Sequence, residues 1–446
     1  MIREIYVNGY RSLEDIKLPV RPGLNILVGP NGGGKTNILS FFEFLSKLPD
    51  TPIDEAVSSQ GGVGRVFTRL PDNLYKTRMD CSIRGSIKFS MRGGQMKLLW
   101  YTWKFSVVAS DSYDEIQYGE QTLYIDLQKE HKDPEQSDLI IKTKQDEQGT
   151  RLEVRTMVIS RLQHLFRGFH FLTVGTYISY NQAVRLLTGY ARNTDFATES
   201  LIGSFPPQMT VFRKIMADIG GGEIFNFVPE ICKQPEDSAR PPVMDKTGAG
   251  LASTLYRLER PPTLANPLRR MTRIRVEQQK LKKIGSYIQL ISPSISRIFT
   301  QKNPIDNTIS VFINISEENG DVSFPLAQCS DGTVKWIALL TKVITANAGF
   351  SIEEPENFLH PTVQKEFLNV VRTESTNNAY APYTLMTTHS ESLLNEAIPS
   401  EVILVWMKDG HTVAQRVSNA DQLVKEINRT GFGLGYYYTS GALEGV

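Results

Sequence analysis

The chain opens on alternation. Ile2–Val7 switches between apolar and polar positions at period two, and Leu13–Val20 does so again after the turn-prone pair Asn8-Gly9, which predicts a hairpin. Leu24–Val28 is a short, mostly apolar run of strand length. Gly29–Gly34 is a glycine-rich turn, and Lys35–Leu48 then spaces Ile38, Leu39, Phe42 and Leu45 as one helical face. From Arg65 to Lys104 the pattern reads as β structure carrying nine Lys/Arg and two acids, whereas Ala109–Gln148 carries eleven Asp/Glu against four Lys. Two readings stand for this charge reversal: the solvated faces of a meander, or a basic face that tracks phosphates. Arg151–Leu187 is apolar with helix-compatible spacing, and Phe205–Pro242 reads as loops or a partly ordered insertion because of Pro206-Pro207, Gly220-Gly221-Gly222 and Pro241-Pro242. Leu268–Leu290 predicts a helix with a basic N-terminal half, and Ile309–Ile315 and Asp321–Leu326 predict strands. In the last third, helical segments Thr333–Thr345, Pro361–Thr373 and Ser392–Ala397 alternate with apolar strands Phe350–Ile352, Thr384–Met386 and Glu401–Trp406. That β/α alternation predicts an α/β fold with a mostly parallel sheet under covering helices.

Composition narrows the class without naming a function. The 446 residues are 40% hydrophobic and 22% charged, and 49 Lys+Arg against 48 Asp+Glu leave a net charge of +1. Such a balance marks neither a nucleic-acid nor a membrane binder. Cys81, Cys232 and Cys329 are odd in number and scattered, so no disulfide framework or paired-cysteine zinc site follows, and a reducing, cytoplasmic location is expected. The start carries no signal-peptide apolar core. The longest apolar stretch, Trp336–Ala346, is interrupted by Thr341 and Lys342 and is too short to cross a bilayer. No membrane partner is expected.

The chemistry gathers in four places. Gly29-Pro30-Asn31-Gly32-Gly33-Gly34-Lys35-Thr36 fits G-x-x-x-x-G-K-[ST] in full. Its glycines let backbone N–H groups face phosphates, and the helix starting near Lys35 points its positive end at them. Lys35 is then placed for the β/γ-phosphates and the Thr36 hydroxyl for Mg²⁺. Gly349–Pro355 is an apolar run ending in Glu353 and Glu354. The first carboxylate is suited to the metal shell, and the second to orienting or deprotonating an attacking water. His389 closes the next apolar run, where an imidazole can reach a γ-phosphate at adjacent strand tips. Ser330-Asp331-Gly332-Thr333 precedes a helix, where Ser330 serves as an N-cap, as a second anion site, or as both. His131, His164, His170, His360 and His411 have no ligand spacing.

These four pieces in this order resemble the ABC-type ATPase head of the SMC and RecF group, over residues 1–48 and about 325–445. The resemblance implies a P-loop ATPase head: a mixed sheet with covering helices, a β-rich N-terminal lobe, and an internal helical insertion. On that pattern, residues 1–180 form the N-terminal lobe with P-loop and meander. Residues 181–300 form the insertion, and 301–446 the lobe with signature, Walker B and switch histidine. It further implies that Asn31, Gly32, Gly33, Gly34, Lys35, Thr36, Asn37 and Arg11 bind nucleotide, and that Ser330 and Gly332 form the signature loop reaching the γ-phosphate of an opposite subunit. Thr36 and Glu353 hold Mg²⁺, and Lys35, Glu354 and His389 carry catalysis. The implied ligands are ATP and Mg²⁺.

Two departures, Glu353 in place of an aspartate and Ser-Asp-Gly-Thr in place of Ser-Gly-Gly, together with Glu354–Pro361, resemble the OLD-type branch and its standalone relatives. From Lys35 to Ser330 there are 295 positions, too few for a chromosome-organising coiled-coil arm. The end at Val446 leaves no room for the nuclease domain of OLD proteins. The implied partners are therefore a homodimer or higher homo-oligomer and a separately encoded effector, nuclease or toxin, as in PARIS-like and Septu-like phage-defence systems. A RecF-like DNA-repair clamp is the alternative, with DNA as a candidate partner. Its feature is the basic stretch Arg269, Arg270, Arg273, Arg275, Lys280, Lys282 and Lys283, which reads equally as a solvated helix face. A transporter nucleotide-binding subunit is disfavoured by the large β-rich interval.

Overall fold

The computed structural model describes residues 1–90, 96–126, 133–146, 149–156, 187–189, 194–205, 209–261, 267–318, 320–376 and 382–443. They form two compact units, Met1–Glu223 with Ile403–Arg416, and Ile224–Val402 with Val417–Val446. The first unit thus takes in Ile403–Arg416, a hairpin from the last third of the chain. A hairpin can join a distant sheet because its strands need only an exposed edge, not a neighbour in sequence.

In the first unit β1 (Ile2–Asn8), β2 (Ile16–Pro19), β4 (Arg78–Ser90), β5 (Met96–Ala109), β6 (Ile116–Asp126), β7 (Leu139–Asp146) and β8 (Gly149–Thr156) make an antiparallel sheet in the order β2-β1-β4-β5-β6-β7-β8. The predicted opening hairpin is there, with Ile5 opposite Leu18 and Val7 opposite Ile16. Along β5 the residues Leu99, Tyr101, Trp103, Phe105, Val107 and Ala109 are buried, the period-two signature of a half-buried strand. Trp103 and Phe105 stack with ring centroids 4.2 Å apart. Gly85 lies where a Cβ would fall 2.4 Å from the Tyr101 ring. On the wet side, Arg78, Lys104, Asp80 and Glu120 line one hollow of about 380 Å³, and Arg78 pairs with Asp80 at 2.8 Å. Cations and carboxylates of successive strands are thus interleaved on one face, which answers the charge reversal as solvation and mutual neutralisation.

β3 (Gly23–Val28) is buried along its whole length beside the hairpin formed by Val402–Lys408 and His411–Arg416. That hairpin closes on Asp409-Gly410, both with positive φ, the two-residue turn that Asp-Gly favours. The helix Lys35–Lys47 follows the glycine turn and buries Ile38, Leu39, Phe41, Phe42, Phe44 and Leu45.

In the second unit β9 (Ile224–Phe225), β14 (Phe350–Glu353) and β15 (Tyr383–Thr387) are parallel neighbours. A separate sheet holds β10 (Glu236–Asp237), β11 (Ile295–Asn303), β12 (Thr308–Glu317) and β13 (Gly320–Pro325). Four helices match expectation closely: Pro267–Ile291, Asp331–Thr345, Pro361–Thr376 and Glu391–Asn395. Helix Asp331–Thr345 is buried from Val334 through Thr341. Each fully buried Leu or Ile there contributes roughly 1.5–3 kcal/mol relative to exposure.

Some expectations are corrected. The span 205–242 is not all loop, since Thr210–Ile219 is a helix that buries Val211, Phe212, Ile215 and Ile219. Its flanking Pro and Gly residues obscure that apolar face in the sequence. Residues 151–156 belong to strand β8 rather than a helix, because cross-strand pairing with β7 overrides local spacing. Residues 157–186, Pro206-Pro207, His131, His164 and His170, and the side chains of Arg269 and Arg270, lie outside the described residues. No helix of the described residues is long and apolar enough to cross a membrane.

Candidate active site

In the first unit the phosphate-loop sequence folds as its composition dictates. Gly32 and Gly34 adopt φ of 75° and 101°, left-handed values that a side chain resists. A Cβ on Gly29 would fall 1.8 Å from the Val405 carbonyl oxygen, and one on Gly34 would fall 2.0 Å from Thr412 Oγ1. The turn is closed by the Gly33 N–H donating to the Pro30 carbonyl at 3.0 Å. Lys35 is buried and its Nζ donates to the carbonyls of Gly29 at 2.8 Å and Pro30 at 2.9 Å. Asn31, Gly32 and Thr36 are exposed. The helix begins at Gly34 with no side-chain cap, so its first N–H groups are left for an anion.

Arg11 and Asn37 sit beside this helix start. Arg11 has φ of 48°, and its guanidinium donates to the Arg65 carbonyl at 2.6 Å, to Ser40 Oγ at 2.9 Å and to Asn37 Oδ1 at 3.5 Å. Asn37 Nδ2 donates to Ser12 Oγ at 2.6 Å, and Ser12 Oγ lies 2.6 Å from Thr412 Oγ1. The Asn37 amide is thereby engaged at both ends, as a brace between the Ser12 turn and the helix. Ser12 and Thr412 went unnoticed in the sequence. Thr412 is nonetheless the second residue after the Asp-Gly turn, a signal that could have placed it.

In the second unit, Glu353 ends β14 opposite Thr387 of the parallel strand β15. Glu354 follows at φ 43°, a strained setting for a glutamate of about 1–3 kcal/mol. Its N–H donates to the Thr387 carbonyl at 3.2 Å, and its Oε2 accepts from Asn357 Nδ2 at 2.9 Å. Burial raises the Glu353 carboxyl above its ordinary range, and the neighbouring Glu354 charge adds to that. His389 is exposed two residues beyond β15, and its backbone N–H donates to Glu356 Oε1 at 3.0 Å.

Ser330 caps the helix Asp331–Thr345, accepting from the Thr333 N–H at 3.2 Å. The cap reading therefore holds, worth about 1 kcal/mol, and Ser330 remains exposed. Gly332 lies under the chain after Glu354, since its Cβ would fall 2.7 Å from the Phe358 carbonyl oxygen. The structure thus brings the signature segment, Glu353, Glu354 and His389 into one unit, with the phosphate loop, Arg11 and Asn37 in the other. Two residues that the sequence reading passed over stand among them. Lys335 is fully buried, its Nζ donating to the Glu354 carbonyl at 3.3 Å. Burial lowers its pKa, opposed by the charges of Glu356 and Glu354. Glu356 is the second.

This is the α/β P-loop fold of an SMC head. A solved SMC head bound to the C-terminal winged-helix domain of ScpA matches 94% of this chain and 99% of its own, with a TM-score of 0.51 at 10% identity. Residues 1–187 match a domain family described as AAA ATPase domain, and residues 235–395 one described as AAA domain, putative AbiEii toxin, Type IV TA system. In sequence the chain thus resembles ATPase domains over these two stretches, and in fold it resembles an SMC head. Among curated relatives, the DNA replication and repair protein RecF of Lactococcus lactis subsp. cremoris is 44% identical over 45 residues, 10% of this chain and 12% of that protein. RecF of Corynebacterium jeikeium is 40% identical over 47 residues, 10% of this chain and 11% of its own. The match therefore spans only about an eighth of the length of these relatives.

Proposed function

We propose that the protein binds and hydrolyses ATP as a molecular switch, closing as a homodimer or higher homo-oligomer around nucleotide and controlling a separately encoded nuclease or toxin in antiviral defence. The observation that carries this reading is the glycine turn with left-handed Gly32 and Gly34 running into an uncapped helix, beside a buried Lys35 ammonium that donates to two loop carbonyls. Gly32, Gly33, Gly34, Lys35 and Thr36 hold the phosphates, with Asn31, Asn37 and Arg11 at the rim. Thr36 and Glu353 offer hard oxygen donors of the kind Mg²⁺ accepts beside substrate phosphates. Bound there, the ion would neutralise charge developing on the β/γ oxygens. Glu354 orients and deprotonates the attacking water, and His389 donates toward the γ-phosphate.

The shared-site part of this reading is tested with Ser330. In the ABC arrangement, Ser330 and Gly332 of one subunit complete the site that uses Lys35 of the other. Ser330→Arg should then stop turnover although its own phosphate loop is intact. Co-expression with Lys35→Ala should restore about a quarter of parental turnover, since random pairing makes half the dimers mixed and each has one intact site. Normal turnover by Ser330→Arg alone would remove the shared site.

A second reading, a DNA clamp, is favoured by the RecF matches and by the helix Pro267–Ile291, where Arg275 and Lys282 are exposed and Arg273 is half-buried. Lys283 is already paired with Glu374 at 2.8 Å and Lys280 with Glu277 at 3.5 Å. Reversing Arg273, Arg275 and Lys282 to Glu should weaken duplex binding and flatten its salt dependence, by roughly one unit of slope per lost phosphate contact, while ATPase persists. Parental DNA affinity in that triple variant would release this helix from the reading.

A further inference from the structure

Glu356 is placed unlike an ordinary loop carboxylate. It lies two residues beyond Glu354, yet its Oε1 reaches back across the strand ends. It accepts from Thr388 Oγ1 at 2.7 Å and from the His389 N–H at 3.0 Å. Its other oxygen, Oε2, is buried without a hydrogen-bond partner among the described residues. A buried orphan of this kind costs stability. Close by in the same unit, Lys335 is fully buried in the helix that starts at Ser330, and its Nζ donates to the Glu354 carbonyl at 3.3 Å.

We propose that Glu356 and Lys335 are paired positioning residues, Glu356 clamping the Thr388-His389 turn to the strand end that bears Glu353 and Glu354, and Lys335 tying that same strand end to the Ser330 helix. The inference rests on the hydrolytic reading above. Besides the Asn357 N–H of its own turn, which donates to its carbonyl, Glu354 is held in its left-handed turn by its N–H to Thr387 and by Lys335 to its carbonyl, contacts that come from the two segments so tied. Glu354 and His389 are therefore fixed to a common frame. Displacements of about 1 Å in such groups cost up to 10²-fold in rate. Neither positioning residue is assigned a contact with nucleotide, so binding should survive their loss.

The test compares steady-state kinetics of the full-length protein, with nucleotide binding and thermal melting measured alongside. Glu356→Ala should lower kcat by about 10- to 100-fold while KM for ATP stays within about 3-fold, and should speed hydrogen exchange at the His389 amide. Glu356→Gln keeps the shape and one acceptor oxygen, and covers the case in which the alanine variant does not fold. It should fall between parent and alanine. Because the two residues tie the same strand end, Lys335→Met combined with Glu356→Gln should be less impaired than the product of the two single losses. Parental kcat in both Glu356 variants, a loss confined to KM, or strictly multiplicative losses would each overturn the positioning role. Lys35→Ala is run in parallel. If the parental protein shows no Lys35-dependent turnover, the hydrolytic reading itself falls and this role with it. Lys35-dependent turnover with unaffected Glu356 variants would overturn only the positioning role.

Discussion

Lys35→Ala should abolish ATP turnover and weaken ATP binding by about 10- to 100-fold, the equivalent of one lost charged hydrogen bond. The ammonium is buried and now spends its protons on the Gly29 and Pro30 carbonyls. Those carbonyls hold it in the mouth of the loop, ready to exchange them for phosphate oxygens. Alanine removes the cation and leaves two carbonyls short of a partner, but the loop keeps its Gly33-to-Pro30 hydrogen bond and its packing on Val405 and Thr412. The folded protein should therefore persist, with a melting temperature close to the parent's. Fluorescent-nucleotide titration and phosphate release measure the two effects separately. Undiminished turnover would remove the phosphate-loop assignment altogether.

The phosphate loop was legible because its constraints are local: a strand, a glycine turn and a helix within one stretch, each with its own spacing. The apolar runs that became β14 and β15 and the helix Pro361–Thr376 between them were legible for the same reason. What escaped was whatever depends on partners distant in sequence. Gly34 satisfies the motif, but the reason it tolerates no side chain is Thr412, brought beneath it by the closing hairpin. That hairpin did carry a signal in Asp409-Gly410, between Val402–Lys408 and His411–Arg416. Lys335 was hidden in a mostly apolar helix, where a cation on the buried face is a hint of a buried polar contact rather than of a solvated face. Glu356 was visible only as part of Glu354–Pro361, since a carboxylate's acceptors and donors are set by the fold and not by its neighbours in the chain. The strand β8 was misread as helical because its pairing with β7, and not its own spacing, decides its form.

Glu354→Gln should keep ATP affinity near the parental value and lower hydrolysis by at least about 100-fold, the span general-base catalysis commonly supplies. The substitution preserves volume, and the amide oxygen can still accept from Asn357 Nδ2, the present partner of Oε2 at 2.9 Å. The contacts that fix the left-handed turn use the backbone atoms of Glu354, its N–H to Thr387 and its carbonyl from Lys335 and from the Asn357 N–H, so they survive a change of its side chain. Only the capacity to take a proton from water is lost. A protein that binds ATP, closes and cannot hydrolyse should accumulate in the closed state. Size-exclusion with light scattering should then show an ATP-dependent dimer or larger oligomer of Glu354→Gln that ADP does not produce. Adding Lys35→Ala to the same chain should dissolve that species, because the trap requires bound triphosphate and not the glutamine itself. Hydrolysis at the parental rate would move the catalytic carboxylate to Glu353 or elsewhere. An oligomer that forms equally with ADP, or survives Lys35→Ala, would mean that association is not driven by nucleotide, and the switch would lose its closing step.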